Sequence, residues 1–250
     1  MRLPLIDSLS AAMLRKLLPD KVAVVVAGPA EWTTNIIPSE SPIIAHAVDT
    51  RRREFAVGRS CARLALEKFG FSGFPVLIGS GHEPLWPSGL VGSITHCRGY
   101  CAAAVARAVD FLSLGIDAEV NRSLSADLIS IVATESELLE VPDGQKHNWA
   151  AVVFSAKEAI FKAWYPLTRR WLDYRDVELG FNVQNQTFVV RSLLGKEADG
   201  FEFRGRFAIT RHHIYTAVVA NATSDGGGSK ISVQRSDTGR AVSAIADMRP

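Results

Sequence analysis

Gly115-Ile116-Asp117-Ala118-Glu119 reads as a β-strand with two acids on one side and two apolar side chains on the other. Side chains alternate along a strand, so Asp117 and Glu119 share a face, roughly 6.5–7 Å apart at Cα. Ile116 and Ala118 point the opposite way. Two hard oxygen ligands so spaced suit one Mg²⁺ that keeps several waters and a substrate phosphate. The plain alternative is an exposed strand end with two solvated acids. Ala118 has no ligand atom, so a third protein ligand has to come from another part of the chain, or water fills the place.

The segment from Asn148-Trp149 to Trp164 reads as a helix. Trp149, Val153, Ala156, Ile160 and Trp164 recur at helical spacing and form one apolar face. Glu158 lies opposite that stripe, yet Phe154 and Phe161 flank it at i−4 and i+3. A glutamate between two phenylalanines suits a place covered by a ligand or another half-domain. Lys162, at i+4, sets a cation beside the acid; an ordinary Glu–Lys helix pair is the competing reading.

Two further segments carry polar chemistry. In Gly92-Ser93-Ile94-Thr95-His96-Cys97 a short apolar strand, Leu90 to Ile94, runs into Ser, Thr and His. Arg98-Gly99 then makes a turn, and Tyr100 to Val105 reads as the return strand. His96 thus sits near a hairpin bend, in reach of a ligand, although a lone histidine is more often structural. The run Arg51-Arg52-Arg53-Glu54-Phe55-Ala56-Val57-Gly58-Arg59-Ser60-Cys61-Ala62-Arg63 leads into a helix. It is either a solvated helix face or a phosphate cluster, since the guanidinium fork matches phosphate oxygens.

Taken together the chain resembles the 4′-phosphopantetheinyl transferases of the type that activates surfactin and enterobactin synthetases. The resemblance runs from about Arg51 to about Tyr174. It is carried by Arg51…Gly58-Arg59…Cys61-Ala62-Arg63, Glu83-Pro84…Trp86-Pro87-Ser88-Gly89, Val91 to Cys97, Gly115 to Glu119, and Phe154 to Trp164, in the family's order and spacing. It implies transfer of the phosphopantetheine arm of coenzyme A to a serine of an acyl or peptidyl carrier protein, leaving 3′,5′-ADP. It also implies Mg²⁺ held by Asp117, Glu119 and Glu158, with Asp117, Glu158 and Lys162 at the chemistry and Glu158 as ligand or general base. Lys157 and Lys162 would hold the pyrophosphate, and Arg51, Arg59 and His96 the 3′-phosphate. One departure stands out. Close members of the family often carry a lysine where this chain has Ile78, and His82 is the nearest candidate to replace it.

The rest of the sequence sets bounds. The chain has 250 residues, 47% of them hydrophobic, enough for one large or two small domains. A net charge of +2 gives no argument for nucleic acid. Basic residues cluster instead at 51–63 and around Lys157, Lys162, Arg169 and Arg170, where an acidic carrier would dock; an exposed loop after Pro166 is the alternative for Arg169 and Arg170. The three cysteines, Cys61, Cys97 and Cys101, form no paired framework. With no apparent signal peptide they predict a reducing cytoplasm. His96, Cys97 and Cys101 match no established zinc spacing. No apolar run is long enough to span a bilayer, and a monomer is expected.

The expected class is α+β, in two similar halves with a pseudo-twofold relation and the site in the cleft between them. The halves are residues 1–111 and 112–222, with 223–250, which include Gly226-Gly227-Gly228, as a disordered tail. Expected elements include a strand at Val22–Val26 and helices near Gly58–Phe69 and Leu124–Leu139. Further strands are expected near Asp176–Leu179, Thr187–Arg191, Gly205–Thr210 and Ile214–Val219. No glycine-rich phosphate loop is present. Two other functions use similar residues: a Mg²⁺-dependent phosphohydrolase or nuclease, and a non-catalytic coenzyme A- or carrier-binding protein.

Overall fold

Tyr100–Arg107, Tyr-Cys-Ala-Ala-Ala-Val-Ala-Arg, is a strand buried on both faces up to Ala106. Small side chains let a layer approach it from either side. The computed structural model of the chain describes residues 8–28, 36–139, 146–193 and 200–223. Within them the order is α1 (Ser8–Leu17), β1 (Ala23–Ala27), a 3-10 turn (Ser41–Ile44), α2 (Asp49–Glu67), β2 (Leu90–Cys97), β3 (Tyr100–Arg107) and β4 (Ser113–Val120). Then come α3 (Ala126–Val132), α4 (Glu135–Leu139), α5 (Lys146–Thr168), β5 (Val177–Asn182), β6 (Thr187–Leu193), β7 (Phe201–Ile209) and β8 (His213–Ala222). The class is α+β, as expected. Beyond Thr223 the expected tail, with its triple glycine, lies outside the described residues.

The strands form two antiparallel sheets, ordered β1-β3-β2 and β4-β8-β7-β6-β5. On one face of β3, Cys101, Ala103 and Val105 pack with Val57, Cys61, Ala62, Ala65 and Leu66 of α2. On the other, Ala102, Ala104 and Ala106 share a core with Ile116 and Ala118 of β4 and Tyr215 of β8. α5 covers the five-stranded sheet. Its stripe of Trp149, Val153, Ala156, Ile160 and Trp164 is fully buried against that sheet's residues.

The two sheets meet along β2 and β4, where side chains take the place of a backbone ladder. Ser93 Oγ accepts from the Ile116 amide at 3.1 Å, and Thr95 Oγ1 accepts from the Ala118 amide at 3.0 Å. Buried amides need an acceptor, and two hydroxyls supply it across the seam.

Two helices differ from their sequence expectation. α2 starts at Asp49 rather than near Gly58, because the arginine-rich turns are helical too: Arg52 N donates to Val48 O at 2.9 Å. Arginine is a good helix former, and apolar periodicity alone does not see it. The helix expected over 124–139 is two, broken at Ala133, which is extended (φ −124, ψ 143). Thr134 and Glu137 restart it reciprocally: the Thr134 amide donates to Glu137 Oε2 at 2.8 Å and the Glu137 amide to Thr134 Oγ1 at 3.3 Å. That T-x-x-E capping box was readable in the sequence.

Candidate active site

Alternation along β4 does place Asp117 opposite Ile116 and Ala118, facing α5. The carboxylate is fully buried. Its Oδ1 accepts from Lys162 Nζ at 2.7 Å and from Thr95 Oγ1 at 3.1 Å. Lys162 Nζ also donates to Ile116 O at 3.2 Å. Three elements therefore converge on this acid: β4 carries it, β2 reaches it through Thr95, and α5 supplies the counter-charge. Glu119 and Glu158 are both half-buried. Glu158 Oε1 accepts from the hydroxyl of Tyr174, a residue the sequence reading marked only as the end of the resemblance.

Thr95 both accepts from Ala118 and donates to Asp117, so Thr95→Val strands a buried amide and removes one donor from the acid. We expect a stability loss of about 2–3 kcal/mol. Urea denaturation checks it, as a lower midpoint at unchanged slope.

Lys157 and Lys162 do not work side by side. Five residues apart on α5, they leave the helix on different faces. Lys157 Nζ lies 2.9 Å from Glu137 Oε2 and donates to Tyr174 O at 2.8 Å. Glu137 is itself fully buried, and its Oε1 accepts from the Leu179 amide at 2.8 Å. Burial pushes the Lys157 pKa down, and Glu137 offsets part of that.

The arginine run divides by task. Arg63 pairs with Glu40 at 2.5 Å, and Arg52 donates to Ala45 O at 3.3 Å, so both tie the preceding loop to α2. Arg51 Nη1 donates to His96 Nε2 at 2.6 Å. Guanidinium has no acceptor, so His96 carries its proton on Nδ1, 3.6 Å from Glu54 Oε2. Arg59 is buried, stacked 4.4 Å from the Phe55 ring centroid, and its Nε meets no hydrogen-bond acceptor among the described residues. Its pKa is lowered to about 10, chiefly by burial, with Glu40 opposing and Arg51 and Arg63 adding to the fall. Thr95 and His96 are consecutive in β2 and leave it on opposite faces, Thr95 toward Asp117 of β4 and His96 toward Arg51 of α2.

The loop with Ile78 closes on itself: Ile78 bridges to Pro84, and the Gly79 amide donates to Glu83 O at 2.8 Å. His82, in the left-handed region at φ 64, is exposed at its tip. Glu83 forms an ion pair with Arg169 at the end of α5. A Cβ on Gly81 would fall 2.0 Å from Tyr165 Oη, so this loop lies directly against α5.

The acids present are oxygen donors of the kind Mg²⁺ takes. Among the described residues, no three His, Cys, Asp or Glu side chains gather as a metal-holding group; Lys162 balances the charge of Asp117. Asp117, Glu119 and Glu158 each have the donor chemistry for the ion, but as placed here they are not gathered around one point. No helix among the described residues is long and apolar enough to cross a membrane.

The family model described as the 4′-phosphopantetheinyl transferase N-terminal domain matches residues 39–106, and that of the 4′-phosphopantetheinyl transferase superfamily matches residues 113–217. The chain belongs to this superfamily. The transferase is 41% identical over 207 residues to 4′-phosphopantetheinyl transferase Svp of Streptomyces mobaraensis, covering 78% of this chain and 82% of the relative. It is 39% identical over 193 residues to 4′-phosphopantetheinyl transferase PptT of Mycobacterium tuberculosis, covering 73% and 85%. Enterobactin synthase component D of Escherichia coli K12 is 35% identical over 122 residues, covering 47% and 57%. The two matched regions contain every acid, arginine, lysine and histidine described above as a site residue.

Proposed function

We propose that this enzyme moves 4′-phosphopantetheine from coenzyme A to a serine of an apo acyl or peptidyl carrier protein. The observation that carries this reading is the pairing on consecutive residues of β2: Thr95 holds Asp117, and His96 holds Arg51. An acid fit for a metal and a set of cations fit for a phosphate are thus tied to neighbouring residues of one strand.

In the reaction the serine oxygen forms a bond to the β-phosphorus of coenzyme A. The bond from that phosphorus to the bridging oxygen breaks, and the electron pair leaves with 3′,5′-ADP. Asp117, Glu119 and Glu158 would hold Mg²⁺, which as a Lewis acid neutralises pyrophosphate charge. Lys162, half-buried on Asp117, is placed to donate to the same pyrophosphate. Lys157 would reach it only by leaving Glu137. Glu158 stands as metal ligand or as the base that takes the serine proton.

Arg51, His96 and Arg59 would grip the 3′-phosphate. An anion between Arg51 and His96 lets both donate to it in place of their direct contact, and Arg59 brings a buried Nε that meets no acceptor among the described residues. The pseudo-twofold relation of residues 1–111 and 112–222 belongs to this proposal, as does a monomer working in the cytoplasm without nucleic acid or membrane.

Intact-mass spectrometry of an apo carrier incubated with the enzyme, coenzyme A and Mg²⁺ tests it. The carrier gains one phosphopantetheine mass. An unchanged mass across fatty-acid, polyketide and nonribosomal-peptide carriers overturns the proposal and leaves the non-catalytic binding role.

A further inference from the structure

We propose that Tyr174 is a positioning residue for Glu158, and that the buried Glu137–Lys157 ion pair holds Tyr174 in place through its backbone. The inference rests on the transferase reading of Glu158.

Lys157 and Glu158 are consecutive on α5, about 100° apart around the helix. Tyr174, on the segment leading into β5, meets both. Its carbonyl accepts from Lys157, and its hydroxyl donates to Glu158. Its ring packs on Phe154, centroids 5.5 Å apart and planes 31° apart; Phe154 stands one turn before Glu158. One residue is thus gripped at its backbone, its ring and its hydroxyl by three side chains of a single helix. The helix is in turn fixed against the five-stranded sheet by its apolar stripe.

The ion pair behind this grip is deeply enclosed, with Lys157 and Glu137 side chains 2% and 0% exposed. Glu137 also accepts from the amides of Thr134, which opens α4, and Leu179 in β5. The pair therefore knots α4, α5 and β5 at the point where Tyr174 passes. Buried ion pairs contribute little net stability against well-packed apolar substitutes, so a role in holding a defined arrangement accounts better for this one. A pocket of about 300 Å³ borders Lys157 and Tyr174 on the side of Ile131, Val132 and Arg175. Among the described residues packing does not fill that side, which leaves the polar tie to fix the segment.

A carboxylate with one oxygen held by a hydroxyl has fewer rotamers to sample, so Glu158 presents a constant geometry to whatever it serves. Partners of this kind typically change activity or metal affinity about 10–100-fold when removed.

Tyr174→Phe removes the hydroxyl and nothing else. We expect kcat to fall roughly tenfold, with KM for coenzyme A within about twofold of wild type. In a Glu158→Ala background the same change costs nothing further, because the side chain it acts through is gone. A tyrosine that only stabilised the fold would lower both backgrounds by one factor.

A second measurement needs no turnover. The double variant Glu137→Gln/Lys157→Met removes both charges together and so leaves no stranded ion. Amide exchange over residues 171–176 is expected to accelerate about tenfold or more, while β4 keeps its protection. Unchanged kcat in Tyr174→Phe, an equal loss in both backgrounds, or unaltered exchange over 171–176 each overturns the proposal. Failure of the wild-type enzyme to load any carrier would sink the transferase reading instead, and the exchange experiment would still judge the tie at Tyr174.

Discussion

Asp117→Ala is expected to lower carrier loading at least about 10³-fold, a loss of roughly 4 kcal/mol of transition-state stabilisation. The acid is the meeting point of both sheets and α5, with Thr95 and Lys162 on its Oδ1. Removing it takes away the proposed metal ligand and leaves Lys162 without its counter-charge. Coenzyme A binding weakens but stays measurable, because Arg51, Arg59 and His96 stand on α2 and β2 and keep their own partners. Single-turnover mass spectrometry reads the first effect and calorimetric titration with coenzyme A the second.

The alanine variant also loses stability. Lys162 is 22% exposed and finds some water, so the loss is nearer 1–3 kcal/mol than the larger figure for a sealed pair. Asp117→Asn separates the two consequences. Its amide oxygen still accepts from Thr95 and Lys162, so part of the stability lost in the alanine variant is recovered, while the charge a metal needs is gone. Full turnover in Asp117→Asn would remove the carboxylate charge from the chemistry.

Asp117 shows how far local patterning reaches. Period-2 alternation separated Ile116 and Ala118, which lie in the core, from Asp117 on the other face, and helical spacing gave the whole buried stripe of α5. Both follow from neighbours in the chain, so a single sequence contains them. The partners of the site residues do not. Thr95 meets Asp117 only because the two sheets meet side by side, and nothing near residue 95 in the sequence says which strand lies beyond it. Lys157 was expected as a phosphate ligand and Glu137 drew no reading at all; packing of α4 on α5 made them an ion pair. Tyr174 reaches Glu158 across the turn after α5, a path set by where that helix stops. α5 stops at Thr168; the next residue, Arg169, is in the left-handed region at φ 56, and its amide donates to Tyr165 O at 2.9 Å. Local periodicity specifies faces, and tertiary contact chooses which polar groups face each other. The chemistry of this site is mostly of the second kind.

Gly115 is where the first kind controls the second. A Cβ built there would fall 1.9 Å from Ala159 O and 2.9 Å from Ala163 N, both backbone atoms of α5. Backbone in a packed helix cannot rotate aside, so α5 has to lift from β4. Gly115→Ala is therefore expected to destabilise by about 3 kcal/mol, the upper part of the range for overpacking, and Gly115→Val by more. For a chain of this size that lowers the melting temperature of the alanine variant by roughly 6–12 °C. The displacement also reaches the site: Glu158 immediately precedes Ala159, and Lys162 immediately precedes Ala163, so lifting the helix draws both away from Asp117. Carrier loading by the fraction still folded should then fall as well, which separates this glycine from one that serves only a turn. Gly70 supplies the comparison, with φ +88 and nothing among the described residues within 4 Å of an added Cβ. Gly70→Ala meets only the backbone cost of that conformation, about 1–2 kcal/mol, and leaves the activity of the folded fraction intact. Calorimetric melting with activity measured at a temperature where each variant is folded checks both. Equal activity per folded molecule in Gly115→Ala and Gly70→Ala would show that the close approach of α5 to β4 stabilises the fold without setting the site.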